Sequence, residues 1–300
     1  MFDWDDLRYF LTVARERSMR AAAKALGVNQ STVRRRLEAL ERDVGQALIE
    51  PRAGGFCLTN YGQSLLPVAE QMEVAAGAVQ RRIAGLDNSA TGQVRVASLV
   101  AIGQRIIRSG FIECFTAANP GITVELVLSQ RVVDVTNGEV DVAIQGVATV
   151  GNTSLVGKKV EELPWAIFAS RAFIERHGRP RAPEELANYN VIDLVDEIAQ
   201  LPAARWLRSH VSKARIVARC DNIPSAHRAV KAGAGLAPLP TTHASEDTDL
   251  VRVMGPLPEL NYPMYLLVHK DMRKVRRVRA FLDYCARELK TVLLTGKMRA

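Results

Sequence analysis

Four side chains within one short segment, Gln30, Ser31, Arg34 and Arg35, carry the hydrogen-bonding groups that read the edges of DNA bases. Gln forms paired hydrogen bonds with N6 and N7 of adenine, and Arg forms them with O6 and N7 of guanine, each worth about 1–3 kcal/mol of discrimination. In a helix these positions fall on one outward face near the N-terminal end, where a helix-turn-helix protein contacts the major groove. We therefore predict that Gln30, Ser31 and Arg34 contact bases, and that Arg35 contacts bases or the adjacent phosphate.

Three neighbouring side chains have more open assignments. Thr32 is a candidate for contact with a phosphate or a thymine methyl group, and Arg52 for contact with a phosphate or the minor groove. For Arg52, it is equally expected that the side chain is exposed to solvent and contacts no DNA. Arg36 lies next to the buried side of the helix, so we expect it to pair with a Glu side chain or with solvent. The run Arg34–Arg36 by itself would also fit the solvated face of an ordinary helical hairpin.

The order of local signals predicts two short helices joined by a tight turn. Ser18 is expected to cap the first helix, because its hydroxyl satisfies a backbone N–H of the first turn, and Ala21–Ala25 strongly favours a helix. Gly27 is expected to end this helix in the left-handed conformation, and Asn29 to cap the next one. The second helix buries one stripe of side chains, predicted to be Val33, Leu37 and Leu40.

Two further elements flank this pair of helices. Apolar residues between positions 5 and 17 recur at helical spacing and predict an opening helix. After Gly45, the segments 48–50 and 55–58 predict a β-hairpin, or wing, placed to reach the flanking phosphates or the minor groove. The hairpin therefore extends the contact surface predicted for the second short helix.

A long amphipathic helix is predicted over residues 60–86, with Thr59 as its cap. Such a helix spans about 40 Å at 1.5 Å per residue, which is too long to bury against so small a domain. We therefore expect it to pair with its copy in another chain. Pro67 should kink the helix or occupy a position that tolerates the lost hydrogen bond. The polar segment 87–92 then marks a domain boundary.

From residue 93 onward strands and helices alternate, which favours parallel sheets with helices on both faces. The predicted strands are 94–97, 123–128, 140–144, 165–169, 191–194, 215–219 and 264–269, and the predicted helices are 102–118, 225–232 and 274–290. They divide into two α/β lobes with crossovers near residues 160–165 and 262–268. This arrangement is typical of a hinged ligand-binding protein.

Ligands of such folds lie at the carboxyl ends of parallel strands, where helix N-termini present free N–H groups. We therefore expect a cleft between the lobes that binds a small molecule through eight residues, with solvated loop ends as the alternative. These residues are Ser98, Leu99, Val100, Gln130, Gln145, Leu194, Asn222 and Ile223. Trp165 and Trp206 are expected to pack in the core or at the hinge.

The composition is that of a folded, basic protein. The 300 residues are 48% hydrophobic and 24% charged, with a formal net charge of +8, which favours an acidic partner such as nucleic acid. Ten Lys and Arg against three Asp and Glu lie between residues 270 and 300, and they either help to hold DNA or keep the C-terminal helix soluble. No stretch reaches about 20 apolar residues. The four cysteines are far apart, so we expect a cytoplasmic protein with free thiols, with a redox-sensing pair as the alternative.

A series of stretches in a fixed order carries a family resemblance. They are Leu7–Ala14, Ala21–Gln30, Val33–Glu41, Leu48–Glu50 and Leu58-Thr59 with Gly62, followed by Asn119–Leu126, Gly138–Ile144, Lys231–Leu236 and Leu239-Pro240. In this order they make the chain similar to LysR-type transcriptional regulators over essentially its whole length.

The resemblance implies an α/β multidomain protein. Its parts would be an N-terminal winged helix-turn-helix at residues 1–59, a linker and dimerisation helix at 60–87, a hinge at 88–92 and an effector-binding domain at 93–300. That domain would be two-lobed and similar to periplasmic binding proteins, with lobe I at about 93–162 and 268–300 and lobe II at about 163–267.

The resemblance also implies a bacterial cytoplasmic regulator, associated with the nucleoid when bound, that binds double-stranded promoter DNA as a dimer of dimers. It implies a small-molecule effector and contact with RNA polymerase, but no cofactor, metal or membrane partner. Ser31 and Arg34 stand where the family often has a Pro and a small residue, so the preferred DNA sequence should differ. Leu99, Val100 and Ala101 stand where hydroxyl residues are usual, so a small carboxylate effector is not implied.

Two other function classes compete with this one. An enzyme is disfavoured because the sequence has no P-loop, no H-E-x-x-H or G-x-S-x-G motif and only scattered histidines. An architectural DNA-binding protein without effector control would bind DNA with little sequence preference. Such a protein would have no role for the large hinged domain.

Overall fold

The fold is given by a computed structural model that describes residues 2–52, 55–86, 89–129, 132–147, 153–211 and 215–298. The chain divides into two compact units, Met1–Gln80 and Arg81–Ala300. The division falls inside the long helix rather than in the polar segment 87–92. Within the described residues, none of the helices combines the length and the hydropathy that crossing a bilayer requires.

The first unit is a small helical core with a hairpin. In chain order its elements are α1 (Trp4–Glu16), α2 (Met19–Leu26), α3 (Gln30–Val44), β1 (Ile49–Arg52), β2 (Gly55–Leu58) and α4 (Asn60–Leu86). The hairpin is antiparallel, with Ile49 opposite Leu58. Phe10, Val33 and Leu40 are fully buried where the first three helices meet. Burial of this apolar cluster stabilises a domain that is otherwise mostly surface.

The structure confirms the predicted helix caps with one exception. The Ser18 hydroxyl accepts a hydrogen bond from the backbone N–H of Ala21, and Gly27 takes a left-handed φ of 66°. The Thr59 hydroxyl accepts from the N–H of Gly62 and starts α4. The prediction for Asn29 is wrong in part, because the residue occupies the cap position but its side chain makes no capping bond.

Helix α4 is anchored to the first unit at its beginning. Ala69 is 1% exposed in the core formed by α1, α2 and α3, and Arg15 on α1 forms a double hydrogen bond with the Glu73 carboxylate. The helix continues through Pro67 to its predicted end. Its early turns therefore belong to the helical core of the first unit by packing, whereas its later turns are not needed for that core.

The second unit contains the remaining elements. In chain order they are β3 (Gly92–Leu99), α5 (Val100–Arg108), α6 (Phe111–Ala118), β4 (Ile122–Ser129), β5 (Val142–Gly146), β6 (Leu155–Leu163), β7 (Trp165–Ser170), α7 (Arg171–His177), β8 (Val191–Leu194), α8 (Pro202–His210), β9 (Ile216–Cys220), α9 (Ile223–Lys231), β10 (Ala237–Pro240), α10 (Thr241–Ala244), β11 (Leu250–Met254), β12 (Tyr262–His269) and α11 (Arg276–Thr295). They form two lobes with separate apolar cores.

Lobe I is built on a five-stranded sheet in the order β4-β3-β5-β12-β6. Strand β3 is parallel to β4 and β5, but β12 is antiparallel to both of its neighbours, β5 and β6. The prediction of a wholly parallel sheet is therefore wrong here. The chain returns from lobe II at the end of the sheet where β5 finishes, with Met264 opposite Gly146, so β12 must run the opposite way.

Lobe II contains a three-stranded antiparallel sheet, β10-β7-β11, and a parallel pair, β8 and β9. The chain enters this lobe at Pro164 and leaves it at Asn261, because β6 and β12 both pair within the sheet of lobe I. Lobe II is thus residues 164–261, and the boundary predicted at about 267 lies too late in the chain.

The helix predicted over 102–118 is two helices. It starts at Val100, breaks at Gly110, whose φ of 77° is left-handed, and resumes at Phe111. The break turns α6 so that Phe111 and Phe115 pack edge-on against Phe281 of α11, with ring centroids 6.2 and 5.1 Å away. A single straight helix could not place its first turn against the sheet and these two rings against α11 at the same time.

Arg105 of α5 joins the two lobes. Its guanidinium is 4% exposed and donates hydrogen bonds to the backbone oxygens of Val292 and Leu294 in lobe I. It also donates to the backbone oxygen of Thr242 and to the Glu246 carboxylate in lobe II. Thr242 and Glu246 would lose this donor if the lobes separated at this point, whereas the bonds to Val292 and Leu294 lie within lobe I.

Substitution of Arg105 by Met should lower the free energy of unfolding of the second unit by about 1–3 kcal/mol, because the buried Val292 carbonyl and the less buried carbonyls of Thr242 and Leu294 lose their donor. Arg108→Met is the matched control. Arg108 lies 3.7 Å from the same Glu246, but its side chain is 59% exposed, so its loss should cost about 0.5 kcal/mol or less. Chemical denaturation of both variants measures the difference, and equal losses would show that Arg105 adds no more than a surface arginine.

Two half-buried histidines pair within lobe II. The rings of His227 on α9 and His243 on α10 lie 5.1 Å apart in an edge-to-face arrangement. Burial lowers the pKa of both. Asp247 opposes this shift at His227 and Glu246 opposes it at His243, while nearby Lys and Arg side chains reinforce it. Neutral imidazole is therefore the form that the folded lobe accommodates.

Because the unfolded chain binds these protons more readily, stability should fall as the pH drops through about 6.5, the ordinary His pKa. We expect the Tm of the wild type to decrease between about pH 7.5 and about pH 5.5, and His243→Phe to flatten this decrease. His177→Phe, at an exposed position, serves as the control. Thermal denaturation across this range measures the slopes, and parallel slopes for all three proteins would contradict the assignment.

Candidate nucleic-acid interface and ligand cavity

Helix α3 brings the four predicted base-contacting residues onto one exposed face. Gln30, Ser31, Arg34 and Arg35 are all exposed, whereas Val33 on the opposite side is fully buried. In the part of the chain that the structure describes, neither arginine has an ion-pair partner. The face therefore presents two free guanidinium groups and one amide, the groups that form paired hydrogen bonds with guanine and adenine.

The start of α3 adds a residue that sequence reasoning missed. The backbone oxygen of Asn29 accepts from the N–H of Thr32 at 3.0 Å, so the helix begins without the side-chain cap. The exposed Asn29 amide is left without a partner among the described residues. The sequence itself predicted only a helix cap at this position, so it gave no signal of a free amide. Thr32 itself is half-buried. This position suits contact with a DNA phosphate or a thymine methyl group better than a pair of hydrogen bonds to one base.

Arg36 has a structural role. Its guanidinium lies 3.0 Å from the Asp3 carboxylate and 3.1 Å from that of Asp6, and it stacks 5.8 Å above the Tyr9 ring. Asp6 is 3% exposed, and burial raises its pKa while Arg36 opposes the rise. The expected acidic partner is present, although it is Asp rather than Glu. Arg36 thus fixes α1 to α3 and is not available to DNA.

Arg52 lies at the end of β1 in the wing. Its side chain is 72% exposed and lies 3.7 Å from the Glu50 carboxylate. The Cys57 thiol on the opposite strand also donates to Glu50, at 3.2 Å. Arg52 can therefore reach outward, but an acidic neighbour on its own strand reduces its attraction for phosphate.

A cavity of about 310 Å³ lies between lobes I and II, which is at the small end of the range for ligand sites. Its walls are the first turn of α5, the beginning of α9 and the two chain segments that cross between the lobes. Trp165 follows the first crossover and Tyr262 follows the second, and both line the cavity. The cavity is thus bounded by both segments that cross between the lobes.

Four of the eight predicted ligand-binding residues line this cavity: Leu99, Val100, Asn222 and Ile223. Leu194 does not, because it is fully buried in the core of lobe II. Gln130 lies outside the described residues.

Ser98 and Gln145 also lie outside the lining, since their polar groups bond to the chain. Ser98 is 1% exposed, and its hydroxyl donates to the backbone oxygen of Ile144 at 3.1 Å. The Gln145 amide accepts from the N–H of Val133 and donates to its oxygen, at 3.0 and 3.1 Å. The prediction that these two residues face the cleft is wrong. The polar groups of both side chains form hydrogen bonds with the backbone of the sheet or of the loop near Val133.

Sequence reasoning missed Arg228 and Tyr262 in the lining and assigned Trp165 to packing alone. Arg228 lies on α9 one turn beyond Ser225, on the same helix face. The Tyr262 ring rests on Gly146, where an added Cβ would lie 2.4 Å from Cε1. Their only sequence signal was adjacency to a crossover or to a helix start.

Comparison with known proteins gives a consistent result. Residues 4–63 match the family described as "Bacterial regulatory helix-turn-helix protein, lysR family", and residues 87–290 match "LysR substrate binding domain". The chain is 27% identical to the "Probable HTH-type transcriptional regulator LtrA" of Klebsiella pneumoniae over 293 residues, which cover 93% of this chain and 92% of the relative.

Two solved structures share the fold. One is the virulence activator AphB of Vibrio cholerae, with a TM-score of 0.59 and 22% identity over 94% of this chain and 98% of AphB. The other is full-length CbnR in complex with its target DNA, with a TM-score of 0.50 and 21% identity over 94% of this chain and 98% of CbnR.

The contrast between neighbouring arginines on α3 can be tested by stability. Arg36→Ala should lower the Tm of the first unit, because the nearly buried Asp6 carboxylate loses its guanidinium partner. Arg34→Ala, at an exposed position without a partner, should leave the Tm within the scatter of surface substitutions. Thermal denaturation of the full chain, followed by circular dichroism, compares the two. A larger decrease for Arg34→Ala would reverse the assigned roles.

Proposed function

Because the chain belongs to the LysR family of transcriptional regulators, with a helix-turn-helix and an effector-binding domain, we propose that it binds promoter DNA through α3 as a dimer of dimers. We further propose that a small molecule in the interlobe cavity changes this binding, and that contact with RNA polymerase conveys the change to transcription. Its relatives are regulators, and the chain is a regulator rather than an enzyme.

The exposed face of α3 is the observation that carries the DNA-binding proposal. Gln30, Ser31, Arg34 and Arg35 point away from the core together, and the two arginines have no ion-pair partner among the described residues. A relative of the same fold, CbnR, was solved on its target DNA. The uncapped Asn29 and the wing residue Arg52 extend the proposed interface on either side of this face.

Self-association is supported by helix α4. Tyr61, Val68, Val79 and Ile83 are 57%, 51%, 61% and 64% exposed, and their spacing places them on one face at 3.6 residues per turn. A row of large apolar side chains in water favours pairing with a second copy. Pairing of two such dimers would complete the proposed dimer of dimers.

Substitution of Arg34 by Ala should weaken binding to the cognate DNA site by about 1–3 kcal/mol, since a base-contacting guanidinium is lost, and random DNA by much less. The cognate site is first obtained by selection from a random DNA pool and footprinting. Titrations of wild type and variant against both DNAs, at near-physiological salt, measure the difference.

Arg42→Ala is the control, since Arg42 is an exposed arginine at the other end of α3. It should reduce both affinities little and equally. Equal losses on cognate and random DNA for Arg34→Ala would make Arg34 a phosphate contact. Failure of the selection to enrich any sequence would favour an architectural DNA-binding protein instead.

A further inference from the structure

The lining of the interlobe cavity is mostly apolar. Leu99, Val100 and Ile102 form one wall from lobe I, and Ile198, Leu201 and Ile223 face the cavity from lobe II. Trp165 and Tyr262 add two aromatic rings from the two crossovers. Such a surface favours a ligand with a compact hydrocarbon body, because burial of apolar area is favourable.

The polar part of the lining contains neutral side chains, among them Gln104 and Ser225, and two charged ones. Among the described lining residues, Arg228 and Glu197 are the only charged side chains. The Arg228 side chain lines the cavity, and it makes no hydrogen bond or ion pair with the described chain. The Trp165 indole N–H makes no hydrogen bond with the described chain either, and it is not one of the fully buried polar atoms. Since Trp165 lines the cavity and an indole N–H usually finds a partner, these two donors point to a ligand acceptor.

The start of α9 supplies little additional anion binding. The Asn222 side chain accepts from the N–H of Ser225 at 2.8 Å, and its own amide donates to Asp221. Pro224 has no N–H to offer. One guanidinium is therefore left to balance ligand charge on this side of the cavity, which suits a ligand with a single carboxylate.

We infer that the ligand of this cavity is a small aromatic or alicyclic monocarboxylate, a conclusion that rests on the proposed effector role of the cavity. Its carboxylate pairs with Arg228, and its ring packs between the first turn of α5 and the side chains of Trp165 and Tyr262. This class differs from small dicarboxylates, which need at least two cationic partners, and from neutral sugars, which need several acceptors and donors.

Occupancy of such a site would act directly on the hinge. The Tyr262 ring lies against Gly146, and Met264 is paired with Gly146 across the sheet. A ring bound beside Trp165 and Tyr262 touches both segments that cross between the lobes. The bound ligand thereby favours one angle between the lobes over others, and a ligand shifts an equilibrium only through such a difference in affinity.

Isothermal titration calorimetry on the full chain without DNA tests the ligand class with three probes: phenylacetate, its neutral isostere phenylacetamide, and succinate. We expect phenylacetate to bind most tightly. Arg228→Gln should weaken phenylacetate about tenfold or more, because a charge-assisted hydrogen bond is lost, and should leave phenylacetamide nearly unchanged. Trp165→Phe, which keeps an apolar ring but removes the N–H, should weaken phenylacetate by a smaller factor.

Arg252→Gln is the matched control, because Arg252 is an exposed arginine of lobe II outside the cavity. It should leave all three affinities unchanged. Tighter binding of succinate or phenylacetamide than of phenylacetate would overturn the inference, and so would an absence of phenylacetate binding.

The proposed function is tested separately by footprinting with and without saturating phenylacetate. An unchanged footprint despite measured binding would remove the effector response while leaving the ligand class intact.

Discussion

The buried guanidinium of Arg105 is the interaction on which the geometry of the second unit depends. It is anchored to the last turn of α11 through Val292 and Leu294, and it reaches lobe II through Thr242 and Glu246. A charge removed from water is tolerated only when its hydrogen bonds are satisfied. Since α5 also forms one wall of the cavity, the same helix that bounds the ligand site is held by both lobes. Any change in the angle between the lobes must either carry this network along or break it.

Much of the first unit could be predicted because its signals are local. Ser18 and Gly27 determine where α2 begins and ends through their own hydroxyl and backbone freedom, and Val33 is buried by helical periodicity alone. The failures in the second unit are all of longer range. The antiparallel direction of β12 depends on where the chain re-enters a sheet after about a hundred residues, and no pattern within β12 itself encodes it. The break at Gly110 depends on the rings that α6 must place against α11.

The candidate sites differ in predictability for the same reason. The exposed face of α3 is a single helix surface, so residue spacing alone predicts it. The cavity is assembled from α5, α9 and two crossovers that are distant in sequence. The rule that ligands lie at strand ends pointed to the region of this cavity but could not tell which polar side chains line it. Ser98 and Gln145 satisfy backbone groups instead, whereas Arg228 reaches the cavity from the second turn of its helix.

The separation between supporting and lining residues has a consequence for how the cavity can change in evolution. The polar groups of Ser98 and Gln145 hold the backbone around the cavity without lining it. Two side chains that do line it, Ile223 and Arg228, are not required to satisfy buried backbone groups. Exchange of such residues can therefore reshape the cavity while the scaffold keeps its stability. The same property makes the second unit a suitable starting point for engineering a new binding site.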